Sequence, residues 1–248
     1  MVFLPESFDY IAANSDVASR LAEPLEGPRM TRYRHLAKDN DIWLSLGGFH
    51  EKGPPDDSQR LYISHVIVDN AGTIVATYRK SHLFEGKIKN NFNVKECDWV
   101  IPGKQIVEPI ETPAGRVGLE ICYDIRFPEM SLLLAGLGAD ILTFPSAFTV
   151  PTGLAHWKVL LRARAIETQC YVIAAAQTGK HNEIRQTFGH AMVVDPWGAI
   201  VAQCHEGTDL CLAQIDHKYI AEVRQQIPVH RTRRHDLYSE IKKCNCVS

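Results

Sequence analysis

The chain has 248 residues, 45% of them hydrophobic and 23% charged, and a formal net charge of -2. That is ordinary globular composition. It lacks the basic face of a nucleic-acid binder and any apolar run of membrane-spanning length.

No composition break or low-complexity run divides the chain. One domain over residues 1–240 and a short tail, 241–248, are therefore expected. The seven cysteines (Cys97, Cys122, Cys170, Cys204, Cys211, Cys244 and Cys246) are odd in number and accompany no secretory signal. This favours a reducing compartment over a disulfide framework. There is no pair of C-x-x-C motifs and no H-E-x-x-H to support a zinc site, and no metal is expected.

In chain order, Met1 to Leu4 reads as a strand stopped by Pro5, and Ile42 to Leu46 as another, closed by Gly47-Gly48. Leu61 to Val68 and Ile74 to Tyr78 flank Asp69-Asn70-Ala71-Gly72, a hairpin signal. Val107 to Ile110 and Val117 to Ile121 flank Thr112-Pro113-Ala114-Gly115 in the same way. Pro128 to Leu137 is a helix pattern with Pro near its start and Gly138 after its end. Further strands are expected at Ile141 to Phe144, Tyr171 to Ala175, Ala191 to Val194, Ile200 to Gln203 and Leu210 to Ile215. Further helices are expected at His156 to Gln169 and His217 to Gln226. Helices alternating with hydrophobic strands predict an α/β or α+β layered domain. The stretch Val66 to Ala76 echoes Met192 to Ala202, each with Asp opening a turn and Gly closing it. Turn chemistry alone could produce such a match, but it extends into both strands and suggests a pair of sheets with comparable hairpins.

Cys122 is the sharpest candidate for chemistry, since it ends a strand and precedes a helix. A thiol on such a turn is exposed beside free backbone N–H groups that can hold an oxyanion. A buried structural cysteine would read the same way by spacing alone. Glu6 follows the first strand, where open α/β sheets place their sites, and partial burial would make it a usable base. Taken alone, it equally fits a surface turn. Lys80 also ends a strand and can hold a developing negative charge, although a lone lysine is commonly a solvated one. Glu96 lies in a long loop between Phe84 and Val107. His50, His65, His82, His156, His181 and His190 leave a Cys/His arrangement open, and no spacing selects one of them.

Three blocks together resemble the signatures of the nitrilase superfamily of carbon–nitrogen hydrolases. They are Phe3-Leu4-Pro5-Glu6, Tyr78-Arg79-Lys80-Ser81-His82-Leu83-Phe84, and Gly118 through Glu129 around Cys122, in that order. Phe144 to Thr149, Thr152 to Trp157, Leu161 to Glu167, Gly189-His190, Asp195-Pro196-Trp197-Gly198 and Arg233 to Tyr238 extend the likeness. Pro145 to Thr149 and Ala174 to Gln177 are similar to the deaminated glutathione amidase branch rather than to the ω-amidases acting on 2-oxoglutaramate.

The resemblance implies a nitrilase-like α-β-β-α sandwich that pairs into a homodimer or a higher homo-oligomer. The family begins with an additional strand and helix, which this chain, starting on the Phe-Leu-Pro-Glu strand, is expected to lack. The implied activity is hydrolysis of a small-molecule amide to carboxylate and ammonia through a Cys thioester, without a cofactor, on deaminated glutathione. Cys122 is the implied nucleophile, Glu6 the base and Lys80 the oxyanion cation, with the Tyr123 N–H beside it. Glu96 is the implied second glutamate, helping to position water. Arg126 is a candidate for a substrate carboxylate or for a structural ion pair, and Phe148 and Thr149 for the pocket wall. Neither a nucleic-acid nor a membrane partner is expected. The expected location is the cytoplasm, or the mitochondrion if an N-terminal segment is missing. Alternatives are an ω-amidase, a carbamoylase, a nitrilase, a Cys/His peptidase, or a catalytically silent short form acting as a binding module.

Overall fold

Two hairpins, each opened by an aspartate, anchor one sheet apiece in the computed structural model, which describes residues 1–88 and 92–238. In the first sheet β1 (Val2–Leu4) runs parallel to β2 (Leu44–Lys52), which pairs with β3 (Leu61–Val68), and β3 with β4 (Ile74–Arg79). The helices α1 (Ser15–Leu21) and α2 (Pro28–Asp39) connect β1 to β2. The hairpin β5 (Glu85–Ile88) and β6 (Phe92–Lys95) follows β4.

The second sheet has the order β14-β13-β10-β9-β8-β7. Its strands are β7 (Ile110–Thr112), β8 (Gly115–Leu119), β9 (Ile141–Thr143), β10 (Tyr171–Ala174), β13 (Met192–Val194) and β14 (Ile200–Gln203). The helix α3 (Pro128–Gly136) joins β8 to β9. A short α4 (Val150–Thr152) leads through a wide turn into α5 (Lys158–Thr168) and on to β10. The small hairpin β11 (Thr178–Lys180) and β12 (Gln186–Phe188) stands apart from both large sheets. The short helices α6 (His217–Gln226), α7 (Val229–Thr232) and α8 (His235–Tyr238) follow.

Strand alternation explains the layers. Val66 and Val68 point to one face of β3 and pack with Met30, Ala37, Leu44 and Leu46 beneath α2. Ile63 and Ile67 point to the other face and join Leu119, Ile121, Phe144 and Val172 of the second sheet in the larger core. The helices α3 and α5 contact the second sheet. The result is the expected helix–sheet–sheet–helix order.

The hairpin echo is physical. Asp69 Oδ1 accepts the amides of Ala71 and Thr73, and Asp195 Oδ1 accepts those of Trp197 and Ala199. One hairpin belongs to each sheet.

Three expectations need correction. Leu210 to Ile215 is not a strand: Leu210 and Leu212 are 75% and 84% exposed, and the segment has no sheet partner among the described residues. The strand expected at Val107 to Ile110 begins only at Ile110 and runs to Thr112. The long loop after Phe84 holds the β5–β6 hairpin and a turn at Glu96–Asp98.

Gly47 and Gly48 set the distance between the sheets near the site. The β2–β3 register shifts between Leu46 and Phe49. A Cβ on Gly47 would lie 2.1 Å from Pro145, and one on Gly48 would lie 2.8 Å from the Glu6 backbone. Only glycine permits this approach, which brings the end of β1 beside the end of β9.

Candidate active site

Four chain segments converge at the strand ends. Glu6 follows β1, Lys80 follows β4, Cys122 follows β8, and the Pro145–Thr149 segment follows β9. Glu96 enters from the turn after β6. Lys80 is 1% exposed, Glu6 4%, Glu96 8% and Cys122 9%. A charge so buried must be paired. Lys80 Nζ donates to Glu6 Oε1 at 2.8 Å and to the two Glu96 oxygens at 3.0 and 2.9 Å. The second Glu6 oxygen accepts the Ala147 amide at 2.9 Å, and Glu96 Oε2 accepts the Phe84 amide at 2.8 Å. Gln177 fixes the turn beneath Glu6 by donating to the Glu6 and Ser7 carbonyls at 3.1 and 3.0 Å.

The charges oppose burial in a consistent way. Burial alone would raise the Glu6 carboxyl, but the charge and hydrogen bond of Lys80 hold it below its ordinary value. Burial alone would lower the Lys80 ammonium, but Glu6 and Glu96 hold it well above. Burial and the adjacent Glu6 charge push the Cys122 thiol well up, with Lys80 opposing. The resting site therefore carries a thiol beside a carboxylate and an ammonium.

Cys122 sits at φ +46°, the left-handed region, which costs a non-glycine residue about 1–3 kcal/mol. Its amide donates to the Pro145 carbonyl at 3.0 Å. The buried Asp124 stitches the turn: its oxygens accept the Ile121 amide at 2.8 Å, the Tyr78 hydroxyl at 2.8 Å and the His82 amide at 3.1 Å. Glu120 is also fully buried and accepts the Ser131 hydroxyl at 3.0 and 2.9 Å. Burial, and then the Asp124 charge, raise its carboxyl well above the ordinary value.

A cleft of about 610 Å³, counted to its open mouth, exposes this cluster. Glu6, Cys122 and Glu96 lie in its lining, with Phe84, Trp99, Phe148 and Thr149 as walls. Tyr123 and Arg126 line it too. The Arg126 guanidinium lies 5.5 Å from the Phe148 ring and 5.9 Å from the Tyr123 ring, and donates to His156 Nδ1 at 3.3 Å. All eight residues singled out from the sequence thus meet at one place. The sequence reading missed Arg185, Gln186 and Thr152 in the lining, the Ala147 amide, and Asp124. The Asp124 of the Cys122 block was available as a signal; a lone arginine in a polar hairpin carries none. His65, open as a base from spacing, is fully buried among Ser45 and the Glu120 carbonyl, and burial lowers it to about 4. Among the described residues no group of three or more His, Cys, Asp or Glu side chains is arranged to hold a metal.

Residues 1–225 match the carbon-nitrogen hydrolase family, and the chain belongs to it. It is a hydrolase of carbon–nitrogen bonds other than peptide bonds. It is 54% identical over 242 residues to the bovine deaminated glutathione amidase, covering 97% of this chain and 74% of that protein. The human deaminated glutathione amidase is 52% identical over 242 residues, with the same 97% and 74% coverage. Among solved structures, the C. elegans NitFhit protein superposes with a TM-score of 0.88 at 51% identity, over 96% of this chain and 57% of that one. Saccharomyces cerevisiae Nit3 superposes at 0.82 with 32% identity, over 94% of this chain and 82% of that one.

Proposed function

We propose that this chain is an amidase acting on deaminated glutathione, with Cys122 as nucleophile, Glu6 as general base, Lys80 as oxyanion cation and Glu96 as the group that fixes Lys80 and positions water. The observation that carries this reading is the buried Glu6–Lys80–Glu96 ion cluster against the Cys122 thiol at the floor of an open cleft. The substrate is taken from the relatives named above.

In this mechanism the thiol keeps its proton until substrate arrives, because the thiol is raised and the carboxylate lowered. Attack of sulfur on the amide carbonyl then coincides with proton transfer to Glu6. Lys80 and the Tyr123 N–H stabilise the tetrahedral oxyanion. The carbon–nitrogen bond breaks as Glu6 returns the proton to the leaving nitrogen. Water, deprotonated by Glu6, attacks the thioester, and the carboxylate product leaves with the thiol restored. The amide bonds of deaminated glutathione are secondary, so the leaving group there is an amine; ammonia leaves from primary amides such as 2-oxoglutaramate.

We place residues 1–240 in one domain and the protein in a reducing cytoplasm, in keeping with the free Cys97, Cys122, Cys170, Cys204 and Cys211. No helix of the described residues is long and apolar enough to cross a membrane. We further propose a homodimer through α3 and α5, which pack together and leave Leu133, Val159 and Ile166 between 48% and 67% exposed.

The test is hydrolysis of deaminated glutathione by purified protein, followed through the freed acid, beside 2-oxoglutaramate and the Cys122→Ala variant. Turnover lost in Cys122→Ala is the expected result. A folded wild-type protein that hydrolyses neither amide overturns the reading.

A further inference from the structure

The cleft holds a second kind of group that the chemistry above does not use. Arg185 and Arg126 line the same cavity as Cys122 and Glu6. Lys80 is paired with two carboxylates at 2.8 and 2.9 Å and serves the oxyanion of the reacting carbonyl, so a permanent charge elsewhere on the substrate needs another partner. Neither arginine is in an ion pair among the described residues. By contrast Arg29, Arg60, Arg79, Arg164 and Arg234 are all in ion pairs. Arg126 is oriented by the Phe148 and Tyr123 rings and by His156, none of which is a carboxylate.

Arg185 is carried on a fixed turn. Asn182 Oδ1 accepts the amides of Ile184 and Arg185 at 3.1 and 2.9 Å, and the Arg185 carbonyl accepts the His181 amide at 2.9 Å. His181 Nε2 meets Thr187 Oγ1 at 2.7 Å. The hairpin behind it is pinned to the cleft wall, since the Phe188 amide donates to the Phe148 carbonyl at 2.9 Å and Thr187 bridges Thr149. The guanidinium is close enough to the floor for its charge to help lower Glu6. A planar guanidinium carried on that turn can match a carboxylate in two-point geometry. The same cleft is lined by Phe84, Trp99 and Phe148, which suit an apolar chain.

We propose that Arg185 is a specificity-determining residue: with Arg126 it anchors a carboxylate of the substrate, so the site selects linear amides whose apolar midsection ends in a carboxylate, as in the ω-amide of a dicarboxylic acid. This rests on the amidase reading. It differs from it in assigning the selection to one hairpin residue.

The experiment measures protection of Cys122 from iodoacetamide by glutarate and by its uncharged diamide, glutaramide. Wild-type, Arg185→Gln and Arg185→Lys proteins are compared, with glutaramate turnover followed in parallel. Wild type is expected to be protected by glutarate at a concentration at least tenfold below that for glutaramide. In Arg185→Gln that preference collapses to within about threefold, and Arg185→Lys restores part of it. Equal protection by the two compounds in wild type, or a preference unchanged in Arg185→Gln, overturns the proposal. Failure of the amidase reading looks different: no glutaramate is hydrolysed while the charge-selective protection persists.

Discussion

The Tyr78 hydroxyl donates to Asp124 Oδ2 at 2.8 Å, and the same oxygen accepts the Ile121 amide at 2.8 Å. Tyr78 lies two residues before Lys80, and Ile121 directly before Cys122. One carboxylate oxygen therefore ties the strand that delivers the cation to the turn that delivers the thiol. Tyr78→Phe removes one donor from a fully buried carboxylate. It should destabilise the fold by about 1–3 kcal/mol in urea unfolding. The strained Cys122 turn also loses a restraint, so kcat should fall about tenfold, equivalent to roughly 1.4 kcal/mol, with KM within about threefold. An unaltered kcat in a destabilised variant would show that the turn holds its own geometry.

Lys80→Met leaves Glu6 and Glu96 buried without their shared cation. Removing one partner of a buried pair costs about 3–5 kcal/mol near neutral pH. The pH dependence should also change sign. In the native protein Glu6 is held below its ordinary value, so its contribution is present above the ordinary carboxylate range and lost as pH falls through the lowered value. Without Lys80, burial dominates and raises Glu6, so stability is present at acid pH and lost as pH rises. Denaturation midpoints should show the gap to wild type wider at about pH 8 than at about pH 5. A gap of constant size would mean that the carboxylates do not feel each other or the cation.

The strand ends at Glu6, Lys80 and Cys122 were legible because each residue directly follows a strand-like run, as with Leu4-Pro5-Glu6 and Ile121-Cys122. What brings those ends together was not. Gly47-Gly48 read as a strand stop, whereas the chain continues through them as β2 to Lys52 and uses their missing side chains to admit Pro145 and Glu6. The helix α2 was missed because only Met30 and Ala37 of it are buried, too thin a stripe for periodicity to register. Leu210 to Ile215 failed in the opposite direction: it is a short apolar run like a strand, but pairing is a property of neighbours, which a local pattern does not contain. Arg185 escaped because a hairpin tip acquires meaning only when the fold hangs it over a cleft.

Val159 and Ile166 lie seven residues apart on one face of α5 and are 67% and 50% exposed. If this face is the dimer surface, Val159→Glu with Ile166→Glu places two like charges against their symmetry mates. The mixture should shift from dimer to monomer in sedimentation or light scattering, with the helix content retained in circular dichroism. Wild type that is already monomeric at assay concentrations, or a double variant that still dimerises, would rule this face out.

Glu120 offers the clearest test of a buried neutral carboxyl. It faces Asp124, Arg164 and the Ser131 hydroxyl, and burial and then Asp124 raise it well above its ordinary value of 4.5. The folded state therefore keeps a proton that the unfolded chain gives up. Stability contributed by Glu120 is full below the unfolded pKa and declines as pH rises toward the folded one, by up to about 1.4 kcal/mol per pH unit within that window. Glu120→Gln preserves shape and neutrality and abolishes that titration. Its stability relative to wild type should climb between about pH 5 and about pH 8. His65, lowered by burial to about 4, acts in the opposite sense below its ordinary 6.5. That term is common to both proteins and cancels in the difference between their unfolding curves. A flat difference across this range would mean that Glu120 is ionised in the folded protein, with Arg164 as the charge that supports it.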